Sequence, residues 1–142
     1  HGECDLIGLG VSSIGQIGAN FMQNTKHLEE YYNRIDNHQL PVAKGFQLNK
    51  DDLLRRGIIQ SIMCQFSVYF PIFEEIFLIR FRDYFVQEIN KLKEYESLGL
   101  INIESEVLTV LPKGRFLVRN IAMVFDYYLN NTQTQATYSR TI

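Results

Sequence analysis

The opening stretch of the chain sets the strictest condition on its fold. Leu6, Ile7, Leu9 and Val11 stand among glycines at 8, 10, 15 and 18, with Ser12 and Ser13 between them. The pattern predicts a short buried strand that runs into a glycine-rich turn, where the backbone can approach a ligand closely or take positive φ. A strand so placed needs neighbours, because its backbone N–H and C=O groups must be hydrogen-bonded. No second strand of a parallel sheet is legible beside it. The expectation is a piece of a larger α/β protein; the alternative is a small sheet of its own. None of these residues can abstract a proton, hold a metal or attack a substrate. The glycines could cradle a phosphate or a cofactor, or serve tight packing. The acidic partner and βαβ context of a dinucleotide fold are absent.

Downstream, helical spacing takes over. Residues 20–24 read as a polar break. Asn24 then stands as an N-cap before Leu28, Tyr31, Tyr32 and Ile35, which share one helical face, and Glu29 and Glu30 suit the helix start. Residues 36–45 read as a loop. Asn49 caps a second helix with Asp51 and Asp52 in its first turn, and Leu54, Ile58, Ile59, Ile62, Met63 and Phe66 form a wide stripe for the core. Cys64 falls within that stripe as a small buried hydrophobe. Pro71 can open a short helix through Ile72, Ile76 and Phe77. A longer helix is predicted over 78–98, with Phe81, Phe85, Ile89 and Leu92 on one face and Gly99 at its C′ position. Residues 100–103 and 107–110 alternate about a turn at 104–106 and predict a hairpin. A last long helix is predicted from 111 through Phe116, Leu117, Ile121, Val124, Phe125 and Tyr128, before a polar tail. The fold class expected is mainly α with a β-hairpin (α+β), winged-helix-like over 45–142.

Charge and cysteine narrow the function classes. A net charge of −2 over 142 residues argues against a general nucleic-acid binder. The helix before the hairpin carries Glu88, Glu94 and Glu96 beside Lys91 and Lys93, near balance where a phosphate-binding face would be basic. No apolar run is long enough to cross a bilayer, and two cysteines, Cys4 and Cys64, make no disulfide framework. A cytoplasmic monomer with neither nucleic acid nor membrane as partner is expected. His1, His27 and His38 match neither cysteine at a metal-binding spacing, so no metal site is expected. Arg55, Arg56, Arg119 and Arg140, with Lys113 and Arg115, could grip carboxylates through guanidinium forks. For any one of them the favoured reading is a solvated helix face, paired with Asp51, Asp52 or Asp126.

Several stretches carry a family resemblance. They are the run from Asp5 to Ile14, Gln23 and Asn24, Leu28, Tyr31 and Tyr32, then Asp51, Asp52, Arg55 and Arg56. The run from Lys113 to Ile121, Phe125 with Asp126, and the ending Tyr138, Ser139, Arg140 and Ile142 complete them. In order and over the whole length, the chain resembles the C-terminal part of oxygen-independent coproporphyrinogen III oxidases, of the radical S-adenosylmethionine (SAM) family. The resemblance implies a role in heme biosynthesis: two propionates of coproporphyrinogen III are decarboxylated to vinyls, giving protoporphyrinogen IX. It implies SAM and a [4Fe-4S] cluster as cofactors of the full-length enzyme, with a CxxxCxxC motif that this chain lacks, so that the chain alone would be inactive. It further implies three segments. Residues 1–20 would be the last strand and loop of a catalytic α/β barrel, 21–44 a connecting helix and loop, and 45–142 a helical cover domain. Ile14 matches a position lining the SAM site, with Gly10, Val11 and Ser12 as weaker neighbours. No catalytic residue carries over. The arginines at 55, 56, 119 and 140 suit a tetracarboxylate by charge alone. The competing readings are a winged-helix module binding nucleic acid or protein, and a related enzyme acting on another tetrapyrrole.

Overall fold

A computed structural model describes residues 4–131. The chain divides into two compact units, one ending at Leu53 and the other starting at Leu54.

The first unit is built on an antiparallel sheet in the order β1-β2-β3, from β1 (Ile14–Ile17), β2 (Asn20–Asn24) and β3 (Val42–Gln47). Helix α1 (Leu28–Asp36) lies between β2 and β3 in sequence. This corrects the expected buried strand at 6–11. Leu6 makes one isolated antiparallel bridge, to Gln16, and Leu9 is 86% exposed. The strand starts later because Gly18 takes a φ of 55°, which lets Ile17 pair with Asn20 across a two-residue hairpin turn. Residues 20–24, expected as a break, and 42–47, which overlap the loop expected over 36–45, are the other two strands of this sheet. Helix α1 forms where its spacing placed it, yet it buries no residue fully. Its N-cap is His27, with no side-chain cap bond, whereas Asn24 belongs to β2.

The second unit holds the core. Helix α2 (Lys50–Gln65), which belongs to this unit from Leu54 on, starts on a reciprocal cap: Asp52 N–H donates to Asn49 Oδ1, and Asn49 N–H donates to Asp52 Oδ2, both at 2.9 Å. Leu54, Ile58 and Ile62 are buried as the stripe required, while Met63 and Cys64 are exposed, so Cys64 is not the core residue expected. Next come β4 (Ser67–Tyr69), α3 (Phe70–Phe77), α4 (Phe81–Tyr84) and α5 (Val86–Ser97). The single helix expected over 78–98 is thus interrupted. Leu78 turns left-handed at φ 54°, and the Glu74 carboxylate accepts from Phe81 N–H at 2.7 Å, so the segment starts only at Phe81; the break itself falls at Phe85, whose φ of −105° and ψ of 35° end α4 and start α5. Its apolar face survives the break: Phe81, Phe85 and Leu92 are all buried. Phe81 lies at the centre, stacked on Phe70 at 4.2 Å and tilted against Phe85 at 4.9 Å.

Gly99, at φ 68°, ends α5 as predicted. The hairpin follows as β5 (Ile101–Ile103) and β6 (Val107–Val110), and β4 adds to it in the order β4-β6-β5. The last long helix is in fact three pieces: a 3-10 helix (Pro112–Leu117), α6 (Val118–Met123) and α7 (Tyr127–Asn131). Asp126 Oδ1 accepts from Leu129 N–H at 3.0 Å, an N-cap that starts α7 separately. Ile121, Val124 and Phe125 are buried, but Phe116, expected on the same face, is exposed.

Candidate functional site

In the first unit the glycine-rich segment closes around one side chain. Asn24 is buried, and its Nδ2 donates to Gly10 O at 3.0 Å, to Ser13 Oγ at 2.9 Å and more weakly to Gly8 O at 3.4 Å. Ser13 Oγ in turn donates to Gly10 O at 2.8 Å. Gln23 Nε2 donates to Ser12 O at 3.2 Å. The segment's own N–H groups are engaged as well: Ser12 donates to Thr25 O and Gly10 to the Tyr31 hydroxyl. A phosphate cradle needs convergent N–H donors. Here carbonyl oxygens converge instead, on an amide, and the glycines serve close approach. A Cβ on Gly8 would sit 2.7 Å from Ile14 O.

The polar chain continues outward. Thr25 Oγ1 donates to Glu30 Oε2 at 2.8 Å, and Arg34 reaches both Glu30 at 2.6 Å and Val42 O at 2.9 Å. The bonds from Thr25 and then Arg34 hold the Glu30 carboxyl below its usual pKa. What this network presents is apolar. Ile14 stands on β1, an outer strand of the sheet, opposite Gln23 and 57% exposed, with Leu6, Ile7 and Leu9 also exposed nearby in sequence. The role of Asn24 was missed because its helix-cap chemistry was plausible too; the glycine carbonyls it binds lie up to 16 residues away.

In the second unit the arginines separate. Arg55 has a carboxylate of its own: Nη1 donates to Glu88 Oε1 at 2.8 Å, with the two side chains only 12% and 14% exposed. It also donates to Phe125 O at 3.2 Å, and its guanidinium lies over Phe85 at 5.1 Å and over Tyr127 at 5.5 Å. Arg56 is half-buried on the same helix, and Arg119 is exposed at the start of α6. Arg140 lies outside the described residues. A hollow of about 340 Å³ is lined by Phe70, Pro71, Glu74, Arg80, Arg82, Asp83, Ser105 and Glu106. Its charges serve the fold: Glu74 caps α4, and Arg82 donates to the Glu104 and Ser105 carbonyls.

No group of three His, Cys, Asp or Glu side chains suited to a metal occurs among the described residues. Cys4 and Cys64 are both exposed. The described residues therefore do not supply the ligand set of an iron–sulfur cluster. No described helix is long and apolar enough to cross a membrane.

With this geometry in view, residues 48–117 match the HemN C-terminal domain model. That stretch, about half of the chain, is similar to the HemN C-terminal domain family. Over its whole length it is 41% identical to the oxygen-independent coproporphyrinogen III oxidase of Pseudomonas aeruginosa, covering 31% of that protein. The Synechocystis enzyme of the same name is 41% identical over 99% of the chain, and the Escherichia coli one 36% over all of it. A solved structure of the Escherichia coli coproporphyrinogen III oxidase HemN, described as a radical SAM enzyme, superposes with a TM-score of 0.85 at 37% identity. It covers 90% of this chain and 30% of its own. The chain thus spans about a third of the length of the relatives it matches.

Proposed function

We propose that this chain is the C-terminal part of an oxygen-independent coproporphyrinogen III oxidase, which decarboxylates two propionates of its substrate to vinyls. The observation that carries the reading is the 41% identity to a named oxidase along all 142 residues. The alternative of a nucleic-acid module gains nothing from the helix that would carry it. On α5, Glu88 is held by Arg55, and Glu96 accepts from Ile103 N–H at 2.9 Å.

The radical chemistry belongs to SAM and its cluster, and no step through the cluster is assigned to this chain. Ile14 is the residue proposed to face SAM, as part of the apolar outer edge of β1. Leu6 already takes the outer backbone groups of Gln16 on β1, so the exposed stretch of Leu6, Ile7 and Leu9, rather than β1 itself, is what suits addition to a strand of an upstream barrel. Helices followed by the β4-β6-β5 sheet suit a winged-helix cover domain. Arg56, Arg119 and Arg140 are proposed partners for substrate carboxylates, while Arg55 is reassigned to holding α5 on α2.

The test is the full-length protein under anaerobic conditions. Conversion of coproporphyrinogen III to protoporphyrinogen IX with consumption of SAM is expected; a reduced, SAM-loaded protein that leaves the substrate untouched would overturn the reading. In the same protein Ile14→Asp is expected to weaken SAM binding by at least tenfold, about 1.4 kcal/mol, because it sets a charge against an apolar adenosyl face. Unchanged affinity removes Ile14 from the site.

A further inference from the structure

Phe116 is the outlier among the phenylalanines of the second unit. Phe70, Phe73, Phe81, Phe85 and Phe125 are buried, whereas Phe116 is 93% exposed. The turn that carries it is rigidly mounted. Pro112 sits at its first turn, Leu111 N–H donates to Leu100 O at 2.9 Å, and Gly114 N–H donates to Leu111 O at 2.8 Å. Gly114 is pressed so close to the chain that a Cβ would fall 2.0 Å from Leu100 O. Arg115 is turned to use: its guanidinium lies 4.6 Å from the Phe66 ring centroid.

Side chains three apart eclipse in a 3-10 helix, so Lys113 and Phe116 share a face. Arg119 follows three residues on, and all three are exposed. An exposed ring held in place, with a cation three residues to either side, matches a ligand that has ring faces at its middle and carboxylates at its rim. We propose that Lys113, Phe116 and Arg119 form a docking platform for a tetrapyrrole polycarboxylate: the Phe116 ring stacks on a pyrrole face, and the two cations take its peripheral carboxylates. The proposal rests on the functional reading above and names where on this chain the substrate is met.

The experiment measures binding of coproporphyrin III, by its fluorescence, to the full-length protein. Phe116→Ala is expected to weaken binding roughly tenfold and Phe116→Tyr to restore it. Lys113→Ala with Arg119→Ala is expected to flatten the dependence of affinity on salt. The urea midpoint should not move in any of these variants, since the replaced side chains are exposed. Wild-type binding with unchanged affinity in Phe116→Ala overturns the platform alone. So does a fall in affinity and urea midpoint together that Phe116→Tyr fails to rescue, which would place the ring against another part of the polypeptide. If the wild-type protein converts coproporphyrinogen III but does not bind coproporphyrin III, the platform alone falls; if it does neither, the functional reading fails with it.

Discussion

Separating Arg55 from Glu88 tests whether this arginine serves the fold or the substrate. The two charges sit 2.8 Å apart with side chains 12% and 14% exposed. At an effective dielectric of about 20, such a pair attracts by roughly 6 kcal/mol. Desolvation of two ions, at several kcal/mol each, offsets most of this and leaves a coupling of about 1–3 kcal/mol. Removing one partner costs more than the coupling, because it strands the other charge. Glu88→Ala should therefore destabilise by about 3 kcal/mol. Arg55→Met keeps an apolar stem over the Phe85 ring, so its cost should be smaller, about 2 kcal/mol. The double variant Arg55→Met/Glu88→Leu should recover much of the loss. The assay is a double-mutant cycle by urea unfolding, joined to coproporphyrin III affinity in the full-length protein. Coupling below about 0.5 kcal/mol, the level of an exposed pair, would refute the structural assignment. A tenfold loss of ligand affinity in Arg55→Met at unchanged stability would return Arg55 to the substrate.

Two further outcomes follow from single contacts. Gly114→Ala forces a methyl group onto the Leu100 carbonyl, 2.0 Å from its oxygen, and should lower stability by about 2–3 kcal/mol in a denaturant titration. The Glu30 carboxyl is held down by its bonds from Thr25 and Arg34, so it stabilises the fold above the ordinary carboxylate pKa, and this contribution is lost as pH falls through the lowered value. An NMR titration of Glu30 should show the depressed midpoint, and Thr25→Val should raise it toward the usual range.

Short-range features were legible from the residues themselves. The cap at Asn49, the stripe of Leu54, Ile58 and Ile62, the stop at Gly99 and the hairpin about 104–106 depend on neighbours within about one helical turn or across one turn of chain. The run of residues from Asp5 to Ile14 and from Lys113 to Ile121 carried the family resemblance, which the whole-length identity bears out. What only the tertiary structure decided was set by distant partners. The end of the glycine stretch lies in an antiparallel sheet because it pairs with residues 20–24, which in turn pair with 42–47, a choice no window of a few residues contains. Asn24 could cap a helix or clamp carbonyls; the carbonyls 14 and 16 residues back decide. Arg55 meets Glu88 across 33 residues, and a charged residue's sequence neighbours say little about which opposite charge will desolvate with it. The apolar spacing that placed Phe116 with Ile121 and Phe125 assumed one unbroken helix. A 3-10 turn changes the angular step per residue, and that small rotation turns one ring out to solvent while the others are buried.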